Sequence, residues 1–317
     1  MLKGLLNIFR GGGAPREPLV PPSPVRPVAA PVALQEFAPA KLNLALHVTG
    51  QRGDGYHLLD SIVAFASIGD EVTVVPAQAL SLTVTGPFAH RVPLGAENLV
   101  MRAAESLRRA RNVDKGGLIK LNKLLPTAAG LGGGSADAAA VLRLLARYWQ
   151  VDPLPADHPD VVALGADVPV CLSAPAPQRM QGIGEVISPL DGLQRCGLVL
   201  VNPMVELATP DVFGALAAKD NDPITQLGPQ HPDFDSQVSW LASLRNDLLA
   251  PAEKLAPVIT EALDVLRKTP GIQHVTMSGS GATCIGFVRD MGVARNAARS
   301  IQISRQNWWV TPAQLLA

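Results

Sequence analysis

The chain has 317 residues, 47% hydrophobic and 17% charged, with 27 basic and 27 acidic side chains. The high hydrophobic content excludes a disordered chain. The equal numbers of basic and acidic side chains exclude the overall positive charge that favours nucleic-acid binding, and the length is sufficient for two domains. No apolar run approaches the roughly 20 residues that span a bilayer. The three cysteines lie far apart, which indicates buried thiols in a reducing, cytoplasmic compartment.

The first 34 residues differ from the rest. Seven prolines lie between Pro15 and Pro31, so a packed core is not expected there. The segment has two interpretations, an organelle transit peptide and a disordered extension. Transit peptides are usually rich in serine, and only Ser23 occurs here, which favours the extension.

From residue 36 onward the pattern alternates strands and helices. Residues 41–48 alternate aliphatic and polar side chains, which predicts a strand whose polar face carries Lys41 and Asn43. A turn-rich loop at 50–55 follows. Further strands are predicted at 71–75, 80–85 and 118–125, with a helix after the capping residue Asn98.

A glycine-rich run at 126–140 follows the third of these strands directly. Its glycines precede Ser135, which we expect to cap a helix that ends near Trp149. A glycine loop before a helix N-terminus presents free N–H groups and the positive end of the helix dipole to phosphate. No lysine follows the glycines as in a Walker A loop, and the Rossmann spacing is absent. A purely structural turn remains the alternative.

The second half continues in the same alternating manner. Asp167 lies within an apolar segment at 161–170, and a strand is predicted at 198–201. Thr209 is expected to cap a helix, and residues 246–268 are helical in pattern, interrupted by Pro251 and Pro257. A second glycine-rich turn at 278–283 lies between two strands. The mixture indicates an α+β protein of two layered domains.

Three segments together resemble the GHMP small-molecule kinase superfamily. They are residues 39–44 (Pro-Ala-Lys-Leu-Asn-Leu), the glycine loop, and residues 277–282 (Met-Ser-Gly-Ser-Gly-Ala). The strings at 53–57 (Gly-Asp-Gly-Tyr-His) and 164–169 (Leu-Gly-Ala-Asp-Val-Pro) are typical of those members that act in the non-mevalonate isoprenoid pathway.

This resemblance implies an α+β, two-domain GHMP kinase fold. The expected parts are a disordered Pro-rich extension at 1–34, a ribosomal-protein-like N-terminal domain at 35–178, and a ferredoxin-like C-terminal domain at 179–317. It also implies that ATP, with Mg²⁺, phosphorylates the 2-hydroxyl of an alcohol carrying a cytidine diphosphate group. No nucleic acid, membrane or obligate protein partner is expected.

The resemblance assigns the catalytic roles to Lys41 and Asp167. Asp167 is expected to act as the base for the substrate hydroxyl, and Lys41 to stabilise the negative charge that develops beside it. On residue type alone, Lys41 fits a solvated strand face equally well, and Asp167 fits a helix-capping turn.

The remaining site residues divide between two ligands. Ser135 is also a candidate for the metal, while Asp137 has two interpretations, assisting the metal or favouring the helix dipole. We expect the cytidine group to contact Asn43, Tyr56, His57, Thr209 and Phe213, with His57 reading the base edge and the rings of Tyr56 and Phe213 on either side of the base. The ATP phosphates are expected along the loop residues Pro126, Thr127, Ala128, Ala129, Gly130, Leu131, Gly132, Gly133, Gly134, Ser135 and Ala136.

Three alternatives to this function stay open at this stage. A GHMP kinase for homoserine or a mevalonate has no base to bind and leaves Tyr56 and His57 without a function. A non-catalytic RNA-binding protein predicts a basic patch, which a net charge of zero disfavours. A nucleotide-binding regulator that has lost catalysis is the third.

Overall fold

The protein is described by a computed structural model that covers residues 33–228 and 233–317. The predicted extension lies almost entirely outside these residues. Strand β1 (Leu34–Gln51) pairs in antiparallel register with β2 (His57–Val75), from Leu34 opposite Val74 to Gln51 opposite His57. This hairpin is buried on both faces in its centre, so the polar face predicted for residues 41–47 points into the protein.

A single hydrogen-bonded sheet extends from this hairpin. Strands β3, β4, β2, β10, β7, β9 and β8 are neighbours in that order, while β1 and β5 also pair with β2, and β6 pairs with β5. The remaining strands are β3 (Leu80–Thr85), β4 (Gly117–Asn122), β5 (Gln178–Gly182), β6 (Val186–Pro189), β7 (Gly197–Asn202), β8 (His274–Met277), β9 (Cys284–Val288) and β10 (Trp309–Leu316).

The helices cover the sheet in two groups. Those of the first half pack with β2 and β4, and those of the second half pack with β7 and β9. Their bounds are α1 (Leu99–Ala110), α2 (Gly133–Trp149), α3 (Pro159–Val162), α4 (Val168–Leu172), α5 (Thr209–Gly214), α6 (Phe234–Ala242), α7 (Leu249–Leu255), α8 (Val258–Lys268) and α9 (Met291–Ser304).

The predicted starts of two helices are wrong. Helix α2 begins at Gly133 after Gly132 in the left-handed conformation, so Ser135 is already helical and is not the cap. Helix α5 begins at Thr209, with Ala208 as its N-cap residue. By contrast, the cap of α1 is confirmed, since Asn98 Oδ1 accepts a hydrogen bond of 2.8 Å from the amide of Val100.

Other differences have a physical cause in the tertiary contacts. The helical pattern predicted at 246–268 is interrupted at one of its two prolines: Pro257 forces Ala256 out of the helical conformation and separates α7 from α8, whereas Pro251 lies within α7. The strand β2 starts at His57 rather than residue 71, since β1, β5, β4 and β10 all supply partners along it. All three cysteines are buried, as predicted.

β10 links the two halves of the chain. It pairs with β2 through residues 315 and 316 and with β7 through residues 309–314. The boundary predicted at 178/179 is therefore bridged by hydrogen bonds, and its position stays a prediction. None of the helices in the described part of the chain has the length and apolar character needed to cross a membrane.

The core of the first half provides a test of this packing. Leu107 on α1 is fully buried, whereas Leu94 is 65% exposed. We expect Leu107→Ala to lower the free energy of unfolding by about 2–5 kcal/mol, because it leaves a cavity among well-packed neighbours. Urea unfolding followed by circular dichroism measures this, with Leu94→Ala as the control. Equal stability of the two variants would contradict the packing described here.

Candidate active site

One cavity of ≈ 1470 Å³ gathers most of the predicted site residues. Its lining combines the polar face of β1, the glycine loop, the start of α4, the start of α5 and the second glycine turn. The predicted residues on the lining are Lys41, Asn43, Tyr56, His57, Pro126, Thr127, Ala128, Ala129, Gly130, Gly132, Gly133, Gly134, Ser135, Asp167, Thr209 and Phe213. Leu131 and Ala136 do not line it, because their side chains are buried in the core.

Lys41 and Asp167 form an ion pair inside this cavity. Lys41 Nζ lies 2.9 Å from Asp167 Oδ2, and the side chain of Lys41 is only 5% exposed, against 33% for Asp167. Lys41 Nζ also donates to Asn43 Oδ1 at 2.8 Å, and Asn43 Nδ2 donates to the hydroxyl of Ser61 at 2.8 Å. The lysine is thus fixed by two acceptors, and part of the carboxylate stays open to the cavity.

The two structural interpretations of this pair do not hold. Lys41 is not on a solvated strand face, because the centre of β1 is covered on both sides. Asp167 occupies the N-cap position of α4 but makes no capping hydrogen bond with its side chain. The carboxylate faces Lys41 instead.

The glycine loop is shaped by left-handed backbone at several positions. Ala128, Gly130 and Gly132 have φ values of 52°, 72° and 57°. The last of these turns the chain into α2, whose first amides have no acceptor within the helix and face the cavity side of the loop. A helix N-terminus exposed in this way favours an anion.

The second glycine turn holds the first in place. Ser278 Oγ donates to the carbonyl of Gly130 at 2.7 Å and accepts from the amide of Asn43 at 3.0 Å. The carbonyl of Ala129 accepts from both the amide and the hydroxyl of Thr283, at 3.2 and 2.5 Å. The hydroxyl of Ser278 therefore connects the glycine loop (called the phosphate loop below), the second glycine turn and β1.

A buried charge cluster beneath the loop was not predicted. Lys123 Nζ lies 2.6 Å from Asp70 Oδ2 and 2.7 Å from Asp137 Oδ2. Asp137 lies one turn after the start of α2, where it pairs with Lys123. It is therefore not in the first turn, where a carboxylate would favour the helix dipole. Burial raises the pKa of Asp137, outweighing the opposing effect of Lys123. In the sequence, this cluster is indicated only by a lysine before the glycine loop and an aspartate after it.

The predicted base-binding residues also line the cavity. The rings of His57 and Phe213 are stacked with centroids 4.9 Å apart and planes at 27°. Burial, with a smaller contribution from the charge of Lys219, lowers the pKa of His57, so its ring is neutral at pH 7. Its Nε2 atom is buried and has no hydrogen-bond partner among the described residues, whereas Tyr56 is 61% exposed.

Two further predictions concern hydroxyl groups. Thr209 Oγ1 and Ser280 Oγ lie 2.8 Å apart, which joins the start of α5 to the second glycine turn. For the metal, residues 33–228 and 233–317 contain no group of three or more His, Cys, Asp or Glu placed to hold an ion. Mg²⁺ with a nucleotide commonly takes one or two protein oxygens and fills its other positions with phosphate and water. Ser135 on the loop fits that sparse requirement.

Comparison with known proteins gives the same family in both halves. Residues 98–174 match the GHMP kinases N terminal domain, and residues 230–304 match the GHMP kinases C terminal family. A 4-diphosphocytidyl-2-C-methyl-D-erythritol kinase of Cereibacter sphaeroides is 50% identical over 282 residues, which cover 89% of this chain and 99% of the relative. One from Paramagnetospirillum magneticum is 51% identical over 284 residues, 88% and 98% of the two chains.

A solved structure agrees with these relatives. The crystal structure of a 4-(cytidine 5'-diphospho)-2C-methyl-D-erythritol kinase superposes with a TM-score of 0.73 at 32% identity. The match covers 90% of this chain and 100% of that one.

The contact between the two glycine turns can be tested by adding one methyl group. A Cβ on Gly130, at φ 72°, stands 2.4 Å from the carbonyl oxygen of Ser278, whereas a Cβ on Gly134 meets nothing within 4 Å. We expect Gly130→Ala to destabilise the protein by about 2 kcal/mol or more, and Gly134→Ala to be neutral or slightly stabilising. Thermal unfolding compares the two variants. A wild-type midpoint for Gly130→Ala would contradict the close contact.

Proposed function

Because the chain belongs to the GHMP kinases, and within them to the 4-diphosphocytidyl-2-C-methyl-D-erythritol kinase family, we propose that it phosphorylates the 2-hydroxyl of that alcohol with ATP. This reaction belongs to the non-mevalonate route to isoprenoid precursors. The observation that carries the proposal is the Lys41–Asp167 pair, 2.9 Å apart in the large cavity of a chain about half identical to these kinases.

The reaction needs an oxygen nucleophile and a stabilised phosphoryl group. In the proposed step, Asp167 Oδ accepts the proton of the substrate hydroxyl, whose oxygen forms a bond to the γ-phosphorus of ATP. The bond between that phosphorus and the β,γ-bridging oxygen breaks, and ADP leaves. The ammonium of Lys41 lies beside the same carboxylate, where it stabilises the charge on the transferred group.

Asn43 supports this step by positioning Lys41. Its Oδ1 accepts from Lys41 and its Nδ2 is held by Ser61, so the amide cannot rotate without losing a buried hydrogen bond. The lysine is therefore preorganised before substrate binds, which lowers the entropy cost of reaching the reactive geometry.

The phosphate loop supplies the other half of the site. The N–H groups at the start of α2 donate to phosphate oxygens, and the positive end of its dipole favours their charge. Mg²⁺, when bound, neutralises charge between phosphates. Ser135 is the residue of this loop that we assign to it.

The cytidine group is assigned to the end of the cavity that holds His57 and Phe213. A neutral imidazole offers one donor and one acceptor, which suits the hydrogen-bonding edge of a cytosine. The unpartnered Nε2 of His57 gains a partner there. Phe213 fixes the imidazole plane from one side, while the exposed ring of Tyr56 is free to stack on the base. Thr209, at the start of α5, lies on the same lining.

The proposed base can be tested by an isosteric change. We expect Asp167→Asn to reduce turnover by about 10²–10⁴-fold, because the amide cannot take the hydroxyl proton. The affinity for ADP should stay close to that of the wild type, since Asp167 is assigned to the substrate hydroxyl and not to the nucleotide. An ADP-release assay and calorimetric ADP titration measure the two quantities. Turnover at the wild-type rate would rule out Asp167 as the base.

The assignment of the base-binding end has its own test. His57→Ala should raise KM for 4-diphosphocytidyl-2-C-methyl-D-erythritol by about 10–100-fold, the effect of about 1–3 kcal/mol of lost contacts. KM for ATP should be unchanged. Homoserine and mevalonate serve as control alcohols and should give no ADP release with the wild-type chain. An unaltered KM for the cytidine substrate would remove His57 from the site.

A further inference from the structure

Three buried charged side chains lie beside the glycine loop and have no part in the proposed chemistry, although two of them, Lys123 and Asp137, also line the cavity. Lys123, Asp70 and Asp137 have exposed side-chain fractions of 3%, 0% and 3%. Each of the two carboxylates lies within 2.7 Å of the lysine ammonium. Asp70 additionally accepts hydrogen bonds from the amides of Leu124 and Leu125, at 2.6 and 2.8 Å.

The cluster joins the two ends of the phosphate loop. Lys123 directly precedes the loop, at the end of β4, and Asp137 directly follows it, on α2. Asp70, on β2, fixes the lysine and the two residues after it. The loop between these ends contains four glycines in five positions and little side-chain bulk of its own. Its geometry therefore depends on how firmly its ends are held.

The cluster lacks the net positive charge that a phosphate site favours. Lys123 Nζ lies 3.0 Å from the position of a Cβ on Gly133, so the cluster reaches the underside of the helix N-terminus. Two carboxyl groups surround this one ammonium, so the cluster presents no net positive charge to an anionic nucleotide. Attraction of phosphate does not account for Asp137.

The cluster is also costly to bury. Asp137 Oδ1 has no hydrogen-bond partner among the described residues, although it is inaccessible to solvent. Buried ion pairs commonly contribute little net stability, and an unsatisfied carboxylate oxygen reduces it further. Neither fold stability nor attraction of phosphate explains why an aspartate is buried at position 137. Its contact with Lys123, which joins the two ends of the loop, does explain it.

We propose that Asp137 is a positioning residue for the nucleotide: its contact with Lys123, oriented by Asp70, holds the start of α2 against the end of β4 and keeps the phosphate loop in its binding conformation. The inference rests on the nucleotide part of the proposed function and is independent of which alcohol is phosphorylated.

The test compares two substitutions at the same position by calorimetric titration of the full chain with ADP and Mg²⁺. Asp137→Ala removes the contact and leaves Lys123 balanced by Asp70. We expect its Kd for ADP to rise about tenfold, with KM for the alcohol changed by less than about twofold. Asp137→Asn keeps an oxygen that accepts from Lys123 and should restore the ADP affinity to within about threefold of the wild type.

The outcomes separate geometry from charge. If Asp137→Ala binds ADP as tightly as the wild type or more tightly, electrostatic relief dominates and the proposal fails. It also fails if Asp137→Asn is as weak as Asp137→Ala, because the charge and not the contact is then responsible. Asp137→Leu, an apolar residue of larger volume, replaces the alanine variant if circular dichroism shows that the latter is unfolded. Asp264→Ala, which breaks an exposed ion pair on α8, is the control and should leave ADP binding unchanged.

Failure of the proposed function gives a different result. If the wild-type chain does not bind ADP, both the nucleotide site and this inference are contradicted. If it binds ADP but does not phosphorylate the cytidine alcohol, only the substrate assignment is lost, and the comparison of Asp137 variants keeps its meaning.

Discussion

The hydroxyl of Ser278 forms the contact on which the candidate site depends. It donates to the carbonyl of Gly130 in the phosphate loop and accepts from the amide of Asn43 on β1. The same β1 strand carries Lys41, so this one group fixes the distance between the phosphate loop and the residues beside Asp167. A glycine-rich loop has too little conformational restriction of its own to do this. The second glycine turn, in the C-terminal half of the chain, supplies this restriction.

Buried charge is the second constraint. Lys41 with Asp167, and Lys123 with Asp70 and Asp137, place two ammonium groups beside the same loop. The first pair leaves a third of its carboxylate exposed to the cavity, as a group that exchanges protons with a substrate requires. The second set is closed to solvent, as a fixed support requires. The difference in burial, more than the residue types, separates the two roles that we propose.

The sequence predicted the α+β class and the GHMP kinase fold correctly, and the family matches confirm both. Local signals worked where the determining residues are adjacent: Asn98 caps α1, and α2 ends at Trp149. They failed where a distant partner decides. Strand β2 extends back to His57 because four other strands pair along it. The local pattern does not predict β10, which joins β2 to β7. The cap predicted at Ser135 lies three residues after the observed one, because Gly132 in the left-handed conformation is the N-cap residue of α2.

The sequence by itself determined the family: the glycine loop and the strings that contain Lys41, His57 and Asp167 together resemble the GHMP kinases, and the family matches confirm this. Several short strings in the right order are sufficient for that, whereas residue type alone left structural roles open for Lys41 and Asp167. Only the tertiary structure decided which charges meet. Lys123 pairs with Asp70 and Asp137, 53 and 14 residues away, and Phe213 stacks on His57. Such pairs are set by how strands and helices pack, and no local pattern in the chain specifies a contact between segments that only the sheet brings together.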